Sequence, residues 1–445
     1  MDENEYLQTL GEQIVNNRAR SSVLAEIRGH IEEQAQDYMD AGMEKEAAER
    51  KAVKQMGDPV STGQSLNEIH RPHFPVLLFG IATALTLFGI LMQYLLYTSE
   101  PSDNAFAQIP FLTHTVCYGA IGLGIILFFI FGNYMRLAKC TIPLYVLFLA
   151  VPFVLFRLYP GYKRVQTASY YLWFLYPLVY ALLLYHFREK GAKAIVLLHL
   201  FSFVFFEVML HQGYSVLLAA VVPCGCISFL LLGLSIQKGI LRGSKKVLWS
   251  LTLIPTAAAA VFLAYPYLRA SSYVYDRLMA GLGLLQNSTP GDYTGYTALL
   301  LRKDQMQYSL FGGGAVSTQL PREDLYSTYI LHSIFLWFGI AVGIAVIAAL
   351  AFLALYGLRC ALRQSNRLAL LLGTASSAIL LLELLNFVPA NLGIDPFYTV
   401  SVPFLSYGLA NSIANAIVVG ILLGIIRNRD VILEYEPEEL VAQKV

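Results

Sequence analysis

Charged residues are scarce in this chain of 445 residues: 14% of the sequence is Asp, Glu, Lys or Arg, whereas 56% is hydrophobic. Soluble domains carry about 25% charged residues, so this balance excludes an ordinary soluble protein. Long polar intervals are missing as well. From Phe74 to Ile426 one apolar stretch follows another, and the only long polar interval is Arg269–Leu325.

Runs of basic residues are also missing. The formal net charge is +1, and no stripe of basic and aromatic residues marks a surface for nucleic acid. A nucleic-acid partner is therefore not predicted. The first 72 residues contain no apolar core of the kind found in a secretory signal.

Cysteine is rare too, with five residues in the whole chain. Cys224 and Cys226 form one close pair, but no second pair and no group of histidines completes a metal site. Small residues are common in membrane helices, which is the simpler interpretation of this pair. The residues themselves predict no metal ligands.

What the chain has in quantity is apolar sequence in stretches of about twenty residues, each long enough to cross a hydrocarbon core of about 30 Å. We therefore predict an all-α polytopic membrane protein of about ten transmembrane helices. The predicted spans are 74–97, 114–133, 140–158, 169–187, 193–210, 214–236, 247–268, 327–356, 366–388 and 401–426.

Lys and Arg concentrate in the connections that follow spans two, four, six and eight, and the connections after spans one, five and nine contain neither. By the positive-inside rule, both termini are predicted to be cytoplasmic and the loop 269–325 extracytoplasmic. The third connection is the exception, because it carries Arg157, Lys163 and Arg164 on the predicted outer side. These cations either snorkel at the membrane interface or meet an anionic ligand such as a lipid phosphate.

Residues 1–72 have a different character, with 14 acidic residues against 8 basic ones. Apolar residues recur on single helical faces, as Leu7, Leu10 and Ile14 do, and Gly57-Asp58-Pro59 is typical of a helix end. This pattern predicts a small cytoplasmic domain of helices. Ala41–Glu44 and Gln55–Pro59 resemble the signature of the permease prefix domain, which implies a regulatory or docking module.

Ionisable residues inside membrane spans are costly, so they are candidates for function. The candidates singled out in and beside the spans are His199, Glu207, His211 and Glu383. Glu207 and His211 share a helix face, either as a structural pair or as part of a substrate pathway. The stretch Pro389–Pro403 holds three prolines and is predicted to be non-helical.

The most specific motif opens the last span. Val402-Pro403-Phe404-Leu405-Ser406-Tyr407-Gly408 resembles the closing signature of the SEDS proteins (shape, elongation, division and sporulation; the RodA and FtsW group). Weaker similarities keep the family's order along the chain at Gly161–Arg164, Gln212–Ser215, Gly295-Tyr296, Leu310–Gly314, Thr318–Pro321 and Asn386. The chain is thus predicted to comprise a prefix-like domain (1–72), a SEDS-like transmembrane domain (73–428) and a short cytoplasmic tail (429–445).

The resemblance implies a peptidoglycan glycosyltransferase in the bacterial cell membrane, which polymerises lipid II at the outer face during cell shape maintenance, division or sporulation. Positive charge must then stabilise the leaving pyrophosphate, supplied by cationic side chains or by a divalent cation such as Mg²⁺ or Mn²⁺. A single-span transpeptidase is the partner that the family implies. The residues predicted to bind substrate are Lys163, Arg164, His211, Arg277, Gly295, Tyr296, Ser406 and Tyr407.

The catalytic base is where the sequence departs from the family. A sugar hydroxyl that attacks an anomeric carbon needs a carboxylate base, and the family carries an Asp in a His-Thr-Asp-Phe run. Counting back from Gly339 places Thr328 at that position, whereas counting forward from Pro321 brings Asp324 close to it. We therefore predict Asp324 as the base, with Glu323 as its substitute.

Two other functions stay open at the level of the sequence. One is a non-catalytic SEDS relative that binds a lipid-linked saccharide or a partner protein and signals through the N-terminal domain. The other is a transporter of a lipid-linked precursor, which the ionisable residues within the spans would serve.

Overall fold

The structure, a computed structural model, describes residues 1–15, 17–69, 71–98, 111–158, 171–210, 222–269, 279, 293–312, 318–394 and 401–429. Within these ranges the regular elements are helices, and no strand is present. The chain falls into two compact units, Met1–Phe74 together with the segment from Ile426, and Pro75–Ile425.

The N-terminal unit consists of four helices: α1 (Glu3–Gln13), α2 (Asn17–Asp40), α3 (Lys45–Gln55) and α4 (Pro59–Ile69). Asp2 caps α1, since its side chain accepts a hydrogen bond from the N–H of Glu5. Asp58 accepts in the same way from the N–H of Ser61 at the start of α4. The predicted apolar face of the first helix is buried in the core of this unit.

The second unit contains the apolar helices, and every predicted span includes one. They are α5 (Val76–Thr98), α6 (Phe111–Phe131), the short α7 (Met135–Lys139), α8 (Thr141–Leu158), α9 (Tyr176–Phe187), α10 (Ala192–Leu210), α11 (Val222–Gln237), α12 (Lys245–Arg269), α15 (Ile330–Phe338), α16 (Ile340–Leu362), α17 (Arg367–Asn391) and α18 (Leu409–Arg427). The predicted outer loop adds α13 (Tyr293–Asp304) and α14 (Arg322–Tyr326).

Six helices of the described chain are long and apolar enough to cross a membrane: α5, α6, α10, α16, α17 and α18. Two shorter apolar segments lie within α8 and α11. The fold class predicted from the sequence, an all-α polytopic membrane protein, is confirmed.

Helix α17 is central to the bundle, because it packs against α9, α11, α15 and α16. It continues through Pro389 to Asn391, so the prediction that the chain leaves the helix at Pro389 is wrong for these residues. The helix ends two residues later, and beyond its end the N–H groups of Leu392 and Ile394 both bond to the carbonyl of Pro389. Such paired bonds satisfy the carbonyls that a helix end leaves without partners.

The eighth predicted span is broken at Gly339, between α15 and α16. This glycine has a φ of 88°, and a Cβ there would lie 2.6 Å from the carbonyl oxygen of Leu310. Only glycine fits such a conformation and such an approach. The break exposes backbone groups that bond to the long loop, as the N–H of Ile340 does to the carbonyl of Ser309. The loop is therefore fixed to the membrane helices at this point.

Candidate functional site

Residues 401–408 (the closing turn) carry the motif that the sequence singled out. The hydroxyl of Ser406 donates to the carbonyl of Ser327 over 2.7 Å. The N–H of Tyr407 donates to the carbonyl of Tyr326 over 2.9 Å. The closing turn is thus bonded to the C-terminal end of α14, the short helix that contains Asp324.

Helix α5 holds the closing turn in an unusual conformation. Phe404 has a φ of 70°, which is rare for a bulky residue and costs about 1–3 kcal/mol. The side-chain amide of Gln93 donates to the carbonyls of Leu405 (3.0 Å) and Tyr326 (2.7 Å). At Gly89 the helix comes so close that a Cβ would lie 2.3 Å from the carbonyl oxygen of Phe404. The strained turn therefore persists because the surrounding contacts leave it no alternative.

Asp324 is half-buried within α14. Its N–H donates to the carbonyl of Pro321 over 3.0 Å, and its carbonyl accepts from the N–H of Tyr329 over 2.7 Å. Thr328 lies in the same turn of chain, where its carbonyl accepts from the side chain of Asn391 over 3.2 Å. The two positions considered for the catalytic carboxylate, 324 and 328, thus share one hydrogen-bonded segment.

The other predicted site residues divide into two groups. Tyr407 stacks on Phe111, with ring centroids 4.5 Å apart, and Tyr296 packs against the apolar cluster that includes Leu325. Gly295 lies in the first turn of α13, and Glu323 precedes Asp324 in α14. The second group, which lies outside the described residues, is Lys163, Arg164, His211 and Arg277. The substrate-binding roles of these four residues stay predictions.

A buried polar cluster that the sequence did not reveal connects the long loop to the bundle (the loop latch: Asp304, Tyr308, Thr318 and His332). Oδ2 of Asp304 accepts from the hydroxyl of Thr318 over 2.6 Å and lies 3.5 Å from Nε2 of His332. The hydroxyl of Tyr308 lies 2.5 Å from Nδ1 of His332. His332 is 0% exposed and Asp304 4% exposed.

The protonation of the latch follows from its surroundings. Burial, followed by the negative charge of Asp304, raises the pKa of Tyr308 above its ordinary value of 10.0, so the phenol keeps its proton. Because Nε2 of His332 faces the carboxylate of Asp304, we assign the ring hydrogen to Nε2, so that Nδ1 accepts the hydrogen bond from the phenol. Tyr308 is therefore a hydrogen-bond donor here and not a base.

Asn391 connects the latch to the segment that carries Asp324. Its side-chain oxygen accepts from the N–H of His332 over 3.0 Å, and its nitrogen donates to the carbonyl of Thr328. Two further bonds fasten the end of α13 to the end of α17, from Arg302 to the carbonyl of Gly393 (2.7 Å) and from Gln305 to that of Leu392 (2.8 Å). The loop, α15 and α17 therefore form one hydrogen-bonded unit beside the closing turn.

Of the predicted ionisable residues that the structure describes, Glu383 is the most completely buried, at 3% exposed within α17. Its Oε2 accepts no hydrogen bond from any described residue. Across the part of the chain that the structure describes, no group of three or more His, Cys, Asp or Glu residues could hold a metal ion. The divalent cation stays a prediction, and no chemical step is assigned to it.

Comparison with known proteins bears on the same region. The family model for cell cycle proteins of the FtsW, RodA and SpoVE type matches residues 324–431. In fold, the chain is similar to a chain of a peptidoglycan synthase complex, solved in a study of how polymerization and crosslinking are coordinated. The TM-score is 0.57 at 14% sequence identity, with 80% of this chain and 98% of that chain covered. None of the curated protein sequences compared with the chain matches it.

Fold and site together define a polytopic membrane protein whose closing turn is bonded to a short, acid-bearing helix of the long loop. The family match begins at Asp324 itself and includes α15 to α18 and the closing turn. The C-terminal part of the chain, residues 324–431, is thus similar to the FtsW, RodA and SpoVE type of protein, the resemblance that the closing motif indicated.

Proposed function

We propose that the chain is a divergent SEDS-type glycosyltransferase that polymerises lipid II, with Asp324 as its general base. One observation carries the proposal: the end of α14 is fixed by bonds from Ser406, Tyr407 and Gln93. A general base must lie within hydrogen-bond reach of the proton that it removes, so its backbone must be held in place. Asp324 meets this requirement through its own backbone bonds as well.

In the proposed reaction, a hydroxyl of the acceptor sugar attacks the anomeric carbon of the lipid-linked donor sugar. The carboxylate of Asp324 takes the hydroxyl proton, and the bond to the pyrophosphate breaks with its electron pair leaving on the phosphate oxygen. Lys163, Arg164 and Arg277 are proposed to stabilise the leaving pyrophosphate by their charge. The reaction is assigned to the outer face of the bacterial cell membrane, with a single-span transpeptidase as the proposed partner.

A second candidate is a relative that binds a lipid-linked saccharide and does not transfer it. The observation that favours it is Thr328, which stands where counting from the helix break at Gly339 places the family's Asp. A hydroxyl cannot act as a base near neutral pH. In this reading the site keeps its shape and has lost its carboxylate.

The test uses the purified full chain in liposomes with lipid II and Mg²⁺ or Mn²⁺, and glycan strands are resolved by gel electrophoresis. Asp324→Asn is expected to lower the polymerisation rate about 10²- to 10⁴-fold, the contribution typical of a general base. The matched control is Asp37→Asn, which makes the same change at an exposed position of α2.

Two outcomes would contradict the proposal. Unchanged polymer from Asp324→Asn would remove this residue as the base. Wild-type protein that binds lipid II and makes no polymer would favour the non-catalytic relative. In that case Thr328→Asp tests whether a carboxylate at the family's position restores transfer. Movement of labelled lipid across the bilayer without polymer would instead indicate a transporter.

A further inference from the structure

Three large apolar side chains of the long loop are exposed beside the break between α15 and α16 (the apolar tip: Met306, Leu310 and Phe311). Met306 is 90% exposed, Leu310 61% and Phe311 75%. Met306 lies in the 3₁₀ turn Gln305–Gln307, which follows α13. Folded proteins rarely leave a group of large apolar side chains in water, so such a group indicates a surface for a membrane or for another protein.

Backbone hydrogen bonds fix the apolar tip at the start of α16. The N–H of Ala341 donates to the carbonyl of Leu310 over 3.2 Å. The N–H of Gly312 donates to the carbonyl of Phe338 over 2.9 Å. Phe311 therefore lies between two residues that are bonded to the adjoining ends of α15 and α16.

The charges of α16 indicate the depth of this point in the membrane. From Ile340 to Leu358 the helix carries no charged residue, and Arg359 follows. These 19 residues extend about 28 Å at 1.5 Å per residue, close to the hydrocarbon thickness of about 30 Å. Because a charged side chain keeps its end of the stretch at one membrane surface, the start of α16 lies at the other.

The end of α17 gives the same level. A connection of residues 363–366 joins α16 to α17, so the two helices are antiparallel neighbours, and the end of α17 lies beside the start of α16. Arg302 and Gln305, just before Met306, bond to carbonyls beyond the end of α17. The chain on both sides of the apolar tip is thus fixed at one membrane surface.

The exposed apolar surface of α16 continues to this level. Ile344, one turn into the helix, and Leu355, farther along, are both exposed. Such side chains on a helix that crosses a membrane contact acyl chains at no cost, because lipid tails are as apolar as they are. The apolar tip extends this surface by three side chains, which do not supply the about 800 Å² that a standard protein partner covers. A lipid surface is therefore the favoured occupant.

We propose that the apolar tip inserts into the lipid leaflet on the side of the long loop, where Leu310 and Phe311 contact the acyl chains next to the head groups. The inference goes beyond the proposed function, because it concerns the bilayer and none of the residues assigned to the candidate site. The loop latch includes Tyr308, two residues before Leu310. Insertion therefore holds the latch at the membrane surface.

The experiment replaces single residues of the full chain with the photoreactive amino acid benzoylphenylalanine, in nanodiscs of phosphatidylcholine. Light couples this side chain to C–H groups that it contacts, and mass spectrometry measures the lipid adduct. Phe311 is the test position, Ile344 is the lipid-facing control, and Val15, 80% exposed in the N-terminal unit, is the control outside the membrane helices. The adduct at Phe311 is expected within about threefold of that at Ile344 and at least about tenfold above that at Val15, because an inserted side chain is surrounded by acyl chains.

Fluorescence measures the depth of insertion independently. Phe311→Trp adds one indole to the 3 tryptophans of the chain, and the wild-type signal is subtracted. Phospholipids brominated near the head group should quench the added indole at least about twofold more than lipids brominated near the chain end, since the tip lies at the boundary of the hydrocarbon core. The matched variant is Val15→Trp, whose added indole neither lipid should quench.

Three results would overturn the proposal. The first is a lipid adduct at Phe311 no larger than that at Val15. The second is coupling of Phe311 to protein in place of lipid, either to a second copy of the chain in nanodiscs or to another protein in native membranes, which would assign the apolar tip to a protein interface. The third is equal quenching by the two brominated lipids. None of these measurements depends on polymerisation, so the membrane contact and the proposed enzymatic function can fail separately.

Discussion

Adding one methyl group at Gly89 tests whether α5 shapes the closing turn. The new Cβ would lie 2.3 Å from the carbonyl oxygen of Phe404, and real contacts of this kind essentially never fall below 3.0 Å. The turn must therefore retreat by at least 0.7 Å. Phe404 is already strained at a φ of 70° and Gln93 bonds to the next residue, so little freedom is left to absorb the shift.

The magnitude follows from a matched substitution in the same helix. A Cβ at Gly80 meets nothing within 4 Å, so Gly80→Ala makes the same chemical change in open space. Both substitutions gain about 1 kcal/mol of helix propensity. The difference between them isolates the clash, and overpacking of this kind costs about 1–3 kcal/mol. We expect Gly89→Ala to be less stable than Gly80→Ala by this amount.

The assay is reversible unfolding of the full chain in mixed micelles, followed by hydrogen exchange of the peptides that contain the closing turn and α14. Gly89→Ala should speed exchange in both peptides, because the bonds from Ser406 and Tyr407 join them. If the two alanine variants unfold alike and exchange alike, α5 does not determine the turn. The strain at Phe404 would then need another cause.

Two further predictions concern single hydrogen bonds. Thr318→Val removes the 2.6 Å bond to Asp304 in the loop latch and should cost about 1–3 kcal/mol of stability. This loss should appear as faster hydrogen exchange in residues 293–312. Unchanged exchange would contradict a stabilising role of this bond. Tyr6→Phe removes the 3.1 Å bond to the carbonyl of Met56 and should cost the N-terminal unit about 1 kcal/mol in thermal unfolding. Burial raises the pKa of Tyr6 above 10.0, so the contribution of the neutral phenol is complete below pH 10 and is lost as the pH rises past its folded-state pKa. If the wild type and Tyr6→Phe lose stability in parallel above pH 10, the hydrogen bond of Tyr6 does not contribute to the stability of the N-terminal unit.

The parts of the structure that could be predicted are those that short stretches of sequence determine. Apolar length alone located the membrane helices, and Gly57-Asp58-Pro59 marked a helix boundary because each residue type acts locally there. The closing motif identified the segment that contacts α14. His332 could have been noticed as a histidine within the eighth predicted span, which is the one signal that the loop latch offers in the sequence.

The rest depends on contacts between residues far apart in the chain. Asp304, His332 and Asn391 come together only when the loop, α15 and α17 pack, and no spacing in the sequence indicates it. Pro389 is a second position where contacts with distant residues, and not the local sequence, decide the structure. Its local preference is to break a helix, but α17 is packed on several sides and continues past it. Packing outweighed the local preference.

The backbone between 324 and 329 bears on the proposed role of Asp324, because it holds both positions that the two ways of counting give for the family's carboxylate. The N–H of Tyr329 bonds back to the carbonyl of Asp324, which closes these residues into a single turn. Ser406 and Asn391 hold the carbonyls of Ser327 and Thr328 from outside, so the turn keeps its place whichever position carries the acid. With Thr at position 328 this support is intact, which is the condition that the proposed role of Asp324 as the base requires.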